Sequence, residues 1–325
     1  LIEISKVVSE SSKNNNEVMD EAEKNIIYYC SGANTRICNP KLPILITPEL
    51  ISLIFHFFGD GHLSVKPGVS SSYRQINKIG LINFHKKLLN CFGDFEVSNN
   101  FINNGKLDVP KCISNILIHH FKIHKRYWHN ARISSSIMNL PREHLLAGLL
   151  AFIVDEGNIA EVIEIYSKNH GLLSDVREVV TLCKYRSHPI RKKLRYGLFD
   201  CYRFTISSES HTKLYSDMKK LESKFPTCSL AHKNKNLELL VKRKNRDWTQ
   251  KSKYETKRNI LNTCLHRKTI FELVELLNIN ASTVREHLYR LESENKILRV
   301  GNRGRNILWK TVNQMQTTSF ANSYS

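Results

Sequence analysis

The stretch Leu145-Leu146-Ala147-Gly148-Leu149-Leu150-Ala151-Phe152-Ile153-Val154-Asp155-Glu156-Gly157 decides how this chain is read. Its apolar run, opened by Pro141-Arg142-Glu143, predicts a helix apolar on every side and therefore buried all round. The run is too short for the ~18 residues of a membrane span, which places it in a protein core. A second stretch repeats the design. Thr47-Pro48-Glu49 is a helix start, with Thr47 as N-cap and Pro48 at the first helical position. Leu50 to Phe58 is again apolar on nearly every side, and Gly59-Asp60-Gly61 ends it. The two closing acids, Asp60 and Glu156, stand 96 positions apart.

Outward from each helix the same order recurs. After the first come strand patterns at His62 to Val69 and Ser72 to Lys78, then a helix from Leu81 to Cys91. Strands at Phe95 to Phe101 and Lys106 to Val109 follow, separated by Asn103-Asn104-Gly105, a good hairpin turn. Pro110 to Lys125 reads as a helix. After the second come a short strand within Asn158 to Glu161, Val162 to Ser167, a helix from Gly171 to Lys184, strands near His188 to Arg195 and Cys201 to Ser207, and a helix from Glu209 to Phe225. The spacing predicts an internal duplication of two αββαββα halves, residues 47–139 and 140–233, within an α+β protein.

The flanks differ in character. Residues 1–46 carry little core-forming pattern and are expected to be a flexible or loosely docked lead-in. Residues 234–257 are strongly basic and are expected to be a linker, with Lys242, Arg243 and Lys244 as candidate phosphate contacts. Residues 258–312 read as three helices, Asn259 to His266, Thr269 to Leu277 and Ser282 to Asn295, followed by a two-stranded wing turning at Gly301 to Arg305. Residues 313–325 are expected to be disordered.

Composition narrows the partners. Of 325 residues, 49 are Lys or Arg and 30 are Asp or Glu, a net charge of +19. That field favours a polyanion, and nucleic acid leads because neither a basic amphipathic helix nor a lipidation signal points to a membrane. The eight cysteines are scattered without a CxxC pair, as expected of reduced packing residues in an intracellular protein, whether in cytoplasm and nucleoid or in an organelle.

Two buried helices that deliver acids to one shared point make chemical sense around a cation. Unneutralised, the carboxylates would repel and one would take up a proton; beside a phosphodiester they are the hard oxygen ligands that Mg²⁺ accepts. A metal so held activates water and stabilises the leaving 3′ oxygen. His120 and His124 share a helix face but lack a third ligand at zinc spacing, and His56, inside an apolar helix, is expected to be a hydrogen-bonded core residue.

At Leu53 to Gly61, LIFHFFGDG, and Leu149 to Gly157, LLAFIVDEG, the chain resembles the LAGLIDADG homing endonucleases in their two-motif, single-chain, intron-encoded form. The resemblance covers about residues 47–233. It implies a pseudo-twofold fold with two saddle-forming antiparallel sheets over the DNA major groove, Asp60 and Glu156 as metal-binding catalytic acids, Mg²⁺ with Mn²⁺ as a substitute, a monomer acting on double-stranded DNA, and short 3′ overhangs. Basic residues late in each repeat, Lys125 (or Arg126) and Lys233, are the candidates to assist catalysis. Base-reading candidates on the strands are Lys66, Ser72, Arg74, Gln75, Arg191, Lys193 and Arg203. The motifs depart from the family pattern at Phe55, where a small residue is usual, at Phe58, where an acid is frequent, and at Asp155, where a small helix-crossing residue is common. Asp155 is thus a rival ligand, with Glu156 favoured.

The last module resembles a winged helix-turn-helix, which implies a recognition helix in the major groove. Ser282 and Thr283 are candidates for phosphate contact, Arg285 and Arg290 for guanine or phosphate, and Arg303 and Arg305 for the wing. Two other functions share this architecture: a catalytically silent LAGLIDADG-type transcriptional regulator, and a maturase with intron RNA as its partner.

Overall fold

A computed structural model of the protein describes residues 25–31, 35–64, 66, 69–121, 123, 130–244, 252–303 and 306–312, with the side chains of 243 and 244 excepted. The chain divides into two units between Lys244 and Asn245. In the first unit a hairpin of β1 (Tyr28–Tyr29) and β2 (Ile37–Cys38) precedes helix α1 (Pro48–Phe58). Then come β3 (Gly61–His62), β4 (Ser71–Arg74), α2 (Lys78–Phe92), β5 (Lys106–Val109) and α3 (Lys111–Phe121). Helix α4 (Arg142–Glu156) opens a second series: β6 (Gly157–Ile159), β7 (Ile163–Ser167), α5 (His170–Leu182), β8 (Arg191–Arg195), β9 (Leu198–Ile206), α6 (His211–Lys224) and α7 (Asn234–Lys244). The architecture is α+β, with helices packed on small antiparallel sheets.

Helix α1 begins as its sequence requires: the Thr47 hydroxyl accepts the Leu50 N–H at 3.2 Å, and Pro48 occupies the first turn. Every residue of α1 except Glu49 is buried, as is α4 from Leu145 to Val154, and the two helices pack against each other. Glycines set their approach. A Cβ on Gly148 would lie 2.5 Å from the Phe55 ring, and one on Gly59 would lie 2.7 Å from Asp155 Cβ. Each bulky residue of one helix faces a glycine of the other, which is how Phe55 and Asp155 are accommodated.

The second series forms a four-stranded sheet in the order β6-β7-β9-β8. Ile163, Ile165, Phe204 and Ile206 point into the core, so by alternation Glu164, Tyr166 and Arg203 lie on the open face. Among the described residues, the first series forms a sheet of three strands, β3-β4-β5. The strand expected at 95–101 does not form. Asp94 instead bridges to Cys38, and Phe101–Asn104 makes a short helix closed by left-handed Gly105 at φ 60°. The aromatic side chains explain this: Phe95 and Phe101 both pack edge-on against His85 and against the core, whereas in an extended strand they would share a face but stand roughly 20 Å apart, too far to meet one ring.

Of the two alternatives for the lead-in, the docked one holds where it is described, since Tyr29 and Ile37 of the β1–β2 hairpin are buried in the core. One expected boundary is corrected. Residues 234–244 are not linker but helix α7, whose Leu237, Leu240 and Val241 join the same core; basic side chains had masked an apolar face of helical period. Of the expected linker, 245–251 lies outside the described residues, as do 1–24 and the tail from 313.

The second unit contains α8 (Lys253–Thr263), α9 (Ile270–Leu277) and α10 (Ala281–Ser293), then β10 (Ile297–Arg303) paired with β11 (Asn306–Thr311). Its first helix starts six residues earlier than the sequence pattern suggests, with Ser252 as cap. Thr269 and Glu272 form a reciprocal capping box at α9. Ile260, Leu273, Val284, Leu288, Leu291, Ile297 and Trp309 make a separate core. Among the described residues, no helix is long and apolar enough to cross a membrane.

Candidate functional site

Where α1 and α4 end, a chain of buried polar groups crosses the helix interface. Lys87, buried on α2, places Nζ 2.8 Å from His56 Nε2. With that nitrogen accepting, the imidazole proton sits on Nδ1 and is donated to Asp155 Oδ2 at 2.9 Å. The Tyr73 hydroxyl donates to Asp155 Oδ1 at 2.6 Å, and the Asp60 backbone N–H donates to Oδ2 at 3.4 Å. His56 is thus the hydrogen-bonded core residue expected of it. Burial, and then the Lys87 charge, push its pKa well down and keep the ring neutral. Burial also pushes the Asp155 carboxyl up to about 7, against the Tyr73 and Asp60 hydrogen bonds and the fields of Lys87 and Lys233. It pushes the Lys87 ammonium down.

Asp155 and Glu156 are separated as adjacent helical residues must be, by about 100° around the axis. The Asp155 side chain is wholly inaccessible, whereas Glu156 is half-buried and Asp60 exposed. Asp155 is therefore a buried support beneath Asp60, whereas the Asp60 and Glu156 carboxylates are open to solvent.

Lys233 lies in the field of both. A short 3-10 turn, Ala231–Lys233, brings its Nζ to the C-terminal end of α4, where it donates to the carbonyls of Ile153 (2.9 Å), Val154 (2.6 Å) and Gly157 (2.6 Å). A cation at a helix C-terminus meets the negative end of the helix dipole. Burial lowers the Lys233 pKa, while Asp155, Asp60 and Glu156 raise it, so one ammonium lies in the field of all three carboxylates. Its three N–H bonds are spent on carbonyls, which makes it a fixed charge rather than a proton donor. Lys125 and Arg126 lie outside the described residues.

Gln75, a candidate base reader, is drawn to the acids instead: its Nε2 donates to Asp60 Oδ2 at 3.4 Å. Ser72 is corrected. It lies on the open face, but at 6% exposure it is covered and cannot read a base directly. Arg74 and Lys66 are exposed, and Arg74 lies opposite Lys106 on β5. On the four-stranded sheet, Arg191 lies directly across from Arg203. Arg203 is neutralised by Glu164 at 2.6 Å, and Lys193 sits over the Tyr166 ring at 4.4 Å. Arg195 lies on the same face, and neither it nor Tyr73 nor Lys87 stands out in the sequence as a site residue. Tyr73 could have been found by its strand period; Lys87 could not, because a lysine on an amphipathic helix reads as solvated.

Oxygen donors of the right hardness are present for a divalent ion in Asp60 and Glu156. Among the described residues, no three or more His, Cys, Asp or Glu side chains gather as a ready-made metal cluster, so the remaining ligands would come from solvent or substrate. His119 and His120 are exposed, and His124 lies outside the described residues.

In α7, Lys242 is exposed and paired with Glu238 at 2.6 Å; the side chains of Arg243 and Lys244 are not described. In the second unit Asn280 caps α10, its Oδ1 accepting from the Thr283 N–H at 2.9 Å and the Ser282 hydroxyl at 2.6 Å. Arg290 pairs with Glu286 at 3.2 Å and Arg303 with Glu272 at 2.9 Å; Arg285 is half-buried on α10, and Arg305 lies outside the described residues. No protein-family model and no curated protein matches the chain.

Proposed function

We propose that the protein is a site-specific, divalent-metal-dependent double-strand DNA endonuclease of the LAGLIDADG type, with the second unit as an accessory DNA-binding winged helix. The observation that carries this reading is the joint placement of Asp60 and Glu156 at the ends of two mutually packed, buried helices, in the field of Lys233. The recurrence of helix, two strands and helix after α1 and after α4 supports a duplicated, pseudo-twofold origin. Because one chain carries both acids, a monomer suffices.

The protein's own groups have distinct tasks. Asp60 and Glu156 would hold Mg²⁺, or Mn²⁺ in its place, and the ion when bound supplies Lewis-acid stabilisation of the phosphodiester displacement. Lys233 offsets the charge that gathers where the acids meet a phosphate. Gln75 and the buried Asp155 orient Asp60, one through its carboxylate and the other through its backbone. Arg74, Arg191, Lys193 and Arg203, on the open faces of the two sheets, supply phosphate and base contacts.

The test is cleavage of a genomic or randomised duplex library by the full chain in Mg²⁺, beside the Asp60→Asn, Glu156→Gln double variant. Site-specific breaks that vanish in the variant support the reading. Tight duplex binding without cutting, in Mg²⁺ or Mn²⁺, would sink it in favour of a DNA-binding regulator, and tighter binding to structured intron RNA than to duplex would favour a maturase.

A further inference from the structure

The β8–β9 hairpin ends in an apolar tip that none of the described residues covers. Tyr196 is 92% exposed and Leu198 75% exposed, and Leu194 and Phe199, a cross-strand pair, are also open to solvent. The turn residues Tyr196 and Gly197 have positive φ, 52° and 79°, as a two-residue hairpin turn of the primed type requires. Asn or Gly fits that conformation without strain; a bulky aromatic does not. An aromatic ring held at a strained turn, pointing into solvent, points to a task outside the fold.

The surroundings of the tip identify the partner. Arg191, Lys193 and Arg195 alternate along β8 on the open face of the sheet, so a row of cations runs up to the tip. Arg191 faces Arg203 across the strands, and Arg203 is already paired with Glu164 at 2.6 Å, so Arg191, Lys193 and Arg195 carry the positive charge of this face. Arg195 lies 5.6 Å from the Tyr196 ring centroid. A strand-long row of cations tracks a phosphate backbone, and a ring with a neighbouring aliphatic side chain at its end is suited to a base step.

We propose that the Arg195-Tyr196-Gly197-Leu198 tip is a wedge that enters duplex DNA at one flank of the bound site and unstacks a base step there. The inference rests on the nuclease reading for its duplex partner and extends it to a contact remote from the acids. It also assigns a sequence preference that needs no hydrogen bond, since pyrimidine–purine steps open most easily.

The full chain is first used to select bound duplexes from a random-sequence pool. The recovered duplex is then remade with 2-aminopurine at each position in turn. With wild-type protein, fluorescence is expected to rise at one step in a flank. A Tyr196→Asn, Leu198→Ser variant, whose turn is less strained, is expected to keep its thermal stability, lose the rise and bind roughly ten-fold more weakly; Tyr196→Phe should retain both signals. Duplex binding with no brightening at any step, or unchanged affinity and brightening in the double variant, would overturn the wedge alone. Binding to phosphatidylserine vesicles that the double variant loses, without duplex brightening, would reassign the tip to a membrane surface. Failure to select any duplex would overturn both the wedge and the nuclease reading.

Discussion

Phe55 and Gly148 fit together across the α1–α4 crossing: the ring fills the space in which a Cβ on residue 148 would lie, 2.5 Å from Phe55 Cδ2. The large side chain on α1 is matched by a missing side chain on α4. The glycine therefore cannot be changed alone.

Gly148→Ala is expected to destabilise the first unit by about 1–3 kcal/mol, because the ring and both helices are fixed by burial on all sides. Adding Phe55→Leu should recover part of that loss. Urea unfolding of the two single variants and the double variant gives the coupling directly, and additivity would show that the two sites are independent.

The Lys87–His56–Asp155 chain predicts a second coupling. Asp155→Asn leaves Lys87 without its compensating carboxylate and places an amide where three donors converge, at a cost of about 3–5 kcal/mol. Lys87→Met should also destabilise. The double variant is expected to lose less than the sum of the two, as measured by the same unfolding cycle.

Lys233→Met removes three hydrogen bonds to the end of α4 and the ammonium that lies in the field of both acids. Cleavage at saturating Mg²⁺ should fall by roughly 10²-fold or more in single-turnover assays while duplex affinity changes little. A fall in affinity with an unchanged cleavage rate would instead mark Lys233 as a phosphate contact.

Asp217 supplies a pH signature away from the site. Burial pulls its carboxyl upward, but hydrogen bonds from Arg142 (2.5 Å) and Tyr185 (2.8 Å) hold it below its ordinary value of 3.8. The ionised form is thus favoured in the folded state, so its contribution is complete above about pH 4 and is lost as pH falls through the lowered folded value. Asp217→Asn should cost about 1.5–3 kcal/mol at pH 7. In acid-unfolding curves the variant and wild type should converge as the pH drops below 4.

The separate core of the second unit predicts that a chain ending at Lys244 retains the first unit intact. Thermal unfolding of that chain should remain cooperative, with helix α7 still present. Loss of a tethered second site should weaken duplex binding by about 10²-fold and flatten its salt dependence, while the cleaved position stays the same.

The sequence by itself determined the two buried helices, the acids at their ends, and most of the strands and helices that follow. These follow from local rules: an all-apolar run must be buried, a Thr-Pro-Glu start caps a helix, and a period of two marks a strand. It also outlined the three helices and the two-stranded wing of the second unit. Only the tertiary structure decided which of Asp155 and Glu156 is buried, because that depends on how α4 is rotated against α1, and the rotation is set by where Gly59 and Gly148 leave room. It likewise turned Gln75 from an expected base reader into a partner of Asp60, buried Lys87 and Ser72, replaced the strand at 95–101 with aromatic packing on His85, and drew residues 234–244 into the first core. In each case a side chain's surroundings come from segments distant in the chain, and no local pattern of polarity encodes them.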